Sequence, residues 1–279
     1  VTFGARRDRM LSRYGGSLVV RASRRMIGIG GYDRALALSA QAFVALVPML
    51  VVVAAALPDD AQGAAEQTLF AGLGLSEKAA AAVAELLDRP PDAGGTTVVG
   101  VVLLVLSVLG FTRTLQRTYA AAWGLPSRGV WGLGYGLLAA VALIVEFVAL
   151  TVLGPLLAIV LGSWATGVVA QATGATLLWW PVQYLLLGGR VGWRPLLPGA
   201  ALTGVGQAVV VVVSGLYLPL VVGREAERYG LVGVAVALLS WLVVLGLLLV
   251  VSAVLSAELS STRPASVPDP GPDDGGSAG

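Results

Sequence analysis

The sequence predicts an all-α fold: a polytopic transmembrane helix bundle with about six spans and a helical external loop between spans one and two. Three observations predict it. The 279 residues are 57% hydrophobic and 12% charged, more apolar surface than the core of a water-soluble domain absorbs. The apolar residues fall into runs long enough for a bilayer core about 30 Å thick, which takes roughly 20 residues per helix. Arginines crowd the segment before the first run and return in alternate gaps, the pattern of loops held on the cytoplasmic side.

Residues 1–34 read as a basic cytoplasmic segment. Arg6, Arg7, Arg9, Arg13, Arg21, Arg24, Arg25 and Arg34 stand against Asp8 and Asp33, leaving a charge of +6. Leu11, Tyr14 and Leu18 fall at helical spacing, which fits a short amphipathic helix on the inner membrane surface as well as it fits a solvated basic tail. The six-span membrane domain, 35–258, follows. Span one, 35–57, carries Pro48, where a kink is expected. Its 23 residues exceed the 7 to 15 of a signal-peptide core, so the Ala54-Ala55-Ala56 that closes it reads as part of a retained helix.

The segment that follows, to about Gly95, carries Asp59, Asp60, Glu66, Glu77, Glu85, Asp88 and Asp92 against Lys78 and Arg89, a charge of −5 that suits an external loop. Ser76 before Glu77 and an Ala-rich stretch to Leu87 predicts a capped helix, with Val83, Leu86 and Leu87 as its apolar stripe. Span two, 97–115, continues as a polar helical extension through Arg113 and Arg117. Span three, 131–160, reads as one tilted helix bent near Gly154-Pro155. Ser163 to Gly167 is expected as a short external turn before span four, 168–187. Arg190 and Arg194 mark an inner loop before span five, 196–222. Arg224 to Tyr229 reads as a charge-balanced external connection to span six, 230–257. The tail, 259–279, is rich in Pro, Asp, Gly and Ser and reads as a disordered cytoplasmic tail. Six spans put both termini in the cytoplasm, in agreement with the charge pattern.

The chain has no cysteine and no histidine. That removes disulfides, thiol nucleophiles, imidazole bases and the usual zinc ligands, and no metal or cofactor is expected. Glu146 is the one ionisable residue in the middle of an apparent span, where a carboxylate is costly enough to suggest function. Ala139, Ala142 and Ala149 share its helix face, which suits helix packing and not lipid. Two readings stand for it: a proton-coupling or substrate-contacting acid, and a protonated or hydrogen-bonded packing group. Gln41, Gln171, Gln183, Tyr184 and Gln207 are its candidate partners.

Gly132 and Gly136 form a G-x-x-x-G, and Gly199, Thr203, Gly204 and Gly206 make span five rich in small residues, as in tight intramolecular helix contacts. Arg113 and Arg117, four apart on one helix face, join Arg128, Arg190 and Arg194 at the inner surface. They are candidate lipid-headgroup contacts worth about 1 kcal/mol each, or plain topology signals. No nucleic-acid partner is expected, because no basic, aromatic-interleaved soluble domain is present.

Several segments, in order, resemble the YihY/BrkB family of bacterial inner-membrane proteins. They are the Pro48-containing first span, Arg113-Thr-Leu-Gln-Arg117 to Trp123-Gly-Leu-Pro126, Trp193-Arg-Pro-Leu-Leu-Pro198-Gly199-Ala200, Leu216-Tyr217, and Tyr229-Gly230-Leu-Val-Gly233 leading to Trp241. Together they cover most of residues 35 to 260. The chain departs from the family pattern twice. Ala121 stands where an Asn is usual, and Ser252-Ala253-Val254 where span six tends to end in Gly-Ala-Glu, with Glu258 one helical turn later. The resemblance implies a six-span protein of the cytoplasmic membrane linked to envelope integrity and, in some members, to serum resistance or lipid export. Some members have been labelled tRNA-processing ribonucleases. This sequence offers neither a His/Asp metal cluster nor a soluble basic cleft for RNA.

The expectation is therefore a non-enzymatic membrane protein that transports or organises a lipid or other amphiphile, with membrane lipids as its partners. The alternative is a non-transporting scaffold that holds envelope-assembly proteins.

Overall fold

The computed structural model describes residues 17–56, 93–126, 132–160 and 163–261. Among them seven helices follow one another: α1 Leu18–Gly28, α2 Gly31–Ala56, α3 Ala93–Ala122, α4 Leu133–Val160, α5 Trp164–Leu186, α6 Trp193–Tyr229 and α7 Leu231–Ser261. The all-helical fold is thus the observed one. Three stretches, Val98–Ala122, Trp193–Gly215 and Val232–Ser261, are long and apolar enough to cross a membrane, and Gly134–Leu150 is a shorter apolar one. The expected helix at Ser76–Leu87, Arg128 and residues 262–279 of the expected tail lie outside the described residues, as do Leu11 and Tyr14; the first residues assigned to the 259–279 tail, 259–261, are instead the end of α7, whose backbone bonds continue past Glu258.

α1 begins at Leu18, capped by the Ser17 hydroxyl, which accepts the Val20 N–H at 3.4 Å. Two further boundaries differ from the sequence reading, each for a local reason. The expected turn at Ser163–Gly167 is mostly helix, because the Ser163 hydroxyl accepts the Thr166 N–H at 3.2 Å and starts α5 at Trp164. The expected connection Arg224–Tyr229 is the last turn and a half of α6, whose 37 residues span about 55 Å. Gly230, at φ +60°, then reverses the chain within one residue. A side chain on Gly233 would collide with the Glu225 carbonyl, so the start of α7 lies directly against that extension. The helical extension expected beyond span two, through Arg113 and Arg117, is present and runs unbroken to Ala122.

The long helices close into a ring. α2 packs on α3 and α7, α7 on α6, α6 on α5, and α5 on α4, with α4 returning to α3. Glycines set the close crossings. Gly204 faces Ala172 and Thr176 of α5, Gly206 faces Leu248 of α7, and Gly246 of α7 faces the Ala35 carbonyl of α2. Gly136 of the G-x-x-x-G faces Gln116 of α3. These are the intramolecular contacts expected of small residues where no water drives association. Ser39 adds a hydrogen bond from α2 to the Leu242 carbonyl of α7, at 2.9 Å.

Apolar side chains turn outward. Val98, Val102 and Leu106 of α3, Leu138, Val141 and Val145 of α4, and Val205, Val209 and Val213 of α6 are all exposed, whereas Thr112, Thr118, Gln183, Thr203 and Ser256 are fully buried. That is the inverse of a water-soluble fold and matches a lipid surround. The chain is an integral, multi-pass membrane protein.

Candidate functional site

Glu146 lies thirteen residues past the start of α4, about 20 Å along its axis. It is 3% exposed. Its Oε1 accepts a hydrogen bond from Gln207 Nε2 of α6 at 3.2 Å. Of the five polar residues weighed as partners, Gln207 is therefore the one that meets it. Its pairing orients the amide: the NH2 faces the carboxylate, and Gln207 Oε1 is left buried without a partner. Ala139, on the same face, is fully buried.

The polar interior continues from Glu146 toward the end of the bundle that carries α1. Tyr119, three residues before the end of α3, is completely buried, and its hydroxyl accepts the Trp179 Nε1–H of α5 at 3.1 Å. Thr203 and Gln183 face the same hydroxyl, and Glu146 is close enough to act on it electrostatically. Gln183 is fully buried, yet neither of its amide atoms makes a hydrogen bond of acceptable geometry. Ser256 Oγ of α7 is in the same position. Both converge on Gly199 of α6, where a methyl group would stand 2.5 Å from Ser256 Oγ and 3.0 Å from Gln183 Oε1. Gly199, Thr203 and Gln207 recur every four residues, so they share one face of α6 over about 12 Å. Thr203 Oγ1 donates to the Gly199 carbonyl at 2.9 Å.

The end nearest α1 is basic and tied together. Glu258, close to the end of α7, accepts Arg21 Nε at 3.1 Å and Arg25 Nη1 at 2.8 Å. Arg25 also lies over the Gly124 turn. Arg190 Nη1 donates to the Pro126 carbonyl at 2.7 Å and its Nε to the Leu187 carbonyl at 3.0 Å. Arg190 thus fastens the α5–α6 turn to the Trp123-Gly-Leu-Pro126 segment. Arg34 Nε donates to the Ile29 carbonyl at 2.7 Å. Arg113, Arg117 and Arg194 are exposed. The five arginines grouped as headgroup contacts therefore divide: three are exposed, Arg190 binds backbone, and Arg128 lies outside the described residues.

Trp193 stacks on Tyr184 at 4.5 Å between ring centres, and Trp180 meets it edge-on at 5.9 Å while donating to its carbonyl at 2.7 Å. Gly189, at φ +70°, brings the turn against the Tyr184 and Tyr135 hydroxyls. Trp193 and its neighbours thus form an aromatic corner at the same end. Pro48 is buried within α2, and Pro198 is half-buried beside Gly199. Trp123 packs on the core. Trp241 meets Tyr217 at 5.8 Å in the distal half, where Tyr229 and Gly230 are exposed.

Sequence reasoning proposed Gln183 and Gln207 only as isolated candidates and passed over Trp179, Ser256 and the Tyr119 hydroxyl. The four-residue spacing of Gly199, Thr203 and Gln207 was the available signal. The partners from other helices had none, because contacts between distant segments leave no mark in a single sequence.

A family model described as Virulence factor BrkB matches residues 22–275. No curated protein matches the chain, and no solved structure does.

Proposed function

The chain belongs to the virulence factor BrkB family, and from that premise we propose that it lies in the cytoplasmic membrane and transports or organises a lipid or other amphiphile, contributing to envelope integrity. In this reading α2 to α7 are its six spans, and the end bearing α1 faces the cytoplasm with both termini. Arg21, Arg24, Arg25, Arg34, Arg113, Arg117, Arg190 and Arg194 all gather toward that end, which supports the orientation.

The observation that carries the reading is Glu146, a buried carboxylate in the middle of an apolar helix and hydrogen-bonded to Gln207. A charge-bearing group in that setting is expensive to keep for packing alone. The exposed Arg113, Arg117 and Arg194 supply contacts for anionic headgroups where α3 ends and α6 begins.

Mass spectrometry of lipids retained when the protein is extracted with its surrounding bilayer tests the proposal. Selective enrichment of one lipid over bulk membrane, reduced in Glu146→Gln, is the expected result. An unenriched profile refutes the carrier and favours a scaffold for envelope-assembly partners.

A further inference from the structure

We infer that the Gly199–Thr203–Gln207 face of α6, with Gln183, Ser256 and Tyr119, is a hydrated path that carries protons between the arginine-rich end and Glu146. The inference rests on the reading of Glu146 as a functional acid and names the ion that this site takes.

The starting observation is chemical. Gln183 and Ser256 are fully buried, come from different helices, and turn polar atoms that make no well-formed hydrogen bond toward the same glycine of a third. Leaving such atoms unpaired costs about 1–3 kcal/mol each, whereas Leu and Ala at these positions carry no such cost. Buried water is the ordinary remedy, since one molecule makes about three hydrogen bonds to groups of this kind. Gly199 is the residue that lets Ser256 and Gln183 both approach this face of α6, because a side chain there would collide with Ser256 and crowd Gln183.

The path has two ends. Gln183 lies three residues before the end of α5 and Ser256 five before the end of α7, about 5 and 8 Å from the arginine-rich end. Inward from them stands the Tyr119 hydroxyl. It accepts from Trp179, which leaves its own proton free to point at Thr203 or Gln183. Thr203 comes next along α6, then the Gln207 amide and Glu146. The Glu146 carboxylate takes one proton from a hydronium ion delivered along these groups and becomes a carboxylic acid, returning a water molecule. Release is the reverse, and no electrons change hands.

Gln207 of α6, which meets Glu146, does not titrate; Tyr119 of α3 is the titratable side chain close enough to act on it electrostatically. The charged groups at the mouth are Glu258, Arg21 and Arg25, already paired with one another.

The test is infrared spectroscopy of the purified protein in lipid nanodiscs. The carboxylic C=O band of Glu146 is identified by its loss in Glu146→Gln, and its isotope shift is followed after transfer from H2O to D2O. Gln183→Leu with Ser256→Ala breaks no well-formed hydrogen bond, so the fold is kept, as circular dichroism checks. Tyr119→Phe removes a single oxygen as a second variant. In each, exchange at Glu146 is expected to slow by about tenfold or more, the effect of ~1.4 kcal/mol on one interrupted step. Exchange at the wild-type rate in both variants, or a wild-type protein with no Glu146 C=O band at any pH, overturns the inference. Slowed exchange beside an unenriched lipid profile refutes only the carrier reading. Lipid enrichment beside unaltered exchange refutes only the proton path.

Discussion

Replacing Glu258 with Gln should loosen α1 from the bundle by a calculable amount. The carboxylate is 9% exposed, and Arg21 and Arg25 are 32% and 28% exposed, so the two pairs sit at the margin between buried and solvated. Two charge-assisted hydrogen bonds there contribute about half of what a fully buried set would, or ~2 kcal/mol together once solvent screening is allowed for. Gln keeps the shape and one acceptor but removes the charge, so the docked-to-free ratio of α1 should fall roughly 30-fold. Ala22, Met26 and Ile29 still pack on the core, and the helix should therefore loosen without unfolding the protein. The sequence contains no cysteine, so Ser23→Cys on the exposed side of α1 supplies a single thiol for a spin label. Electron paramagnetic resonance should show a mobile component growing in Glu258→Gln, and partly in wild type at about 1 M salt, where charges are screened within roughly 3 Å. Arg24→Gln, at an exposed position, should leave the spectrum unchanged. Identical spectra for Glu258→Gln and wild type would refute the clasp.

Gly199→Val should destabilise the bundle by about 1–3 kcal/mol through overpacking against Ser256 and Gln183, read as a lower melting temperature in detergent, while Gly134→Ala, with nothing within 4 Å, should be silent. Gln207→Leu removes the donor to Glu146 and should lower resistance to unfolding in denaturing detergent by about 1 kcal/mol; an unchanged transition would contradict the pairing. Neutralising the exposed Arg113, Arg117 and Arg194 should weaken retention of anionic lipid by about 1 kcal/mol per residue with little change in melting temperature. Arg190→Gln, which loses bonds to two carbonyls, should lower the melting temperature.

The helical class and the outward apolar faces were legible because lipid imposes one rule on every residue of a span: apolar side chains and backbone bonds satisfied within the helix. Boundaries were less so. Arg224 to Tyr229 looked like a loop because charge density was read as solvent exposure, whereas a helix continues past the bilayer for as long as its backbone bonds are not interrupted, here to Gly230. Glu146 stood out by its type alone. Glu258 was visible as a departure from a family pattern, but its task became visible only with Arg21 and Arg25 in place, since nothing local in the sequence links residues so far apart. The Gly199 crossing was read correctly as small-residue packing, and its polar surroundings were missed because Ser256 and Gln183 belong to other helices.

The ion pairs of Glu258 with Arg21 and Arg25 join residues 237 and 233 positions apart, and that separation sets an order of events during synthesis. The arginines leave the ribosome before any of α2 to α7, and their acceptor arrives on α7, the last of the described helices. At about 5–20 residues per second, α1 waits roughly 10 to 50 seconds for its partner. Bundle closure is therefore a terminal event: a chain stopped before Glu258 still carries α1 but has no carboxylate to hold it. Attachment of α1 thus serves as the molecule's own record that α7 has been made.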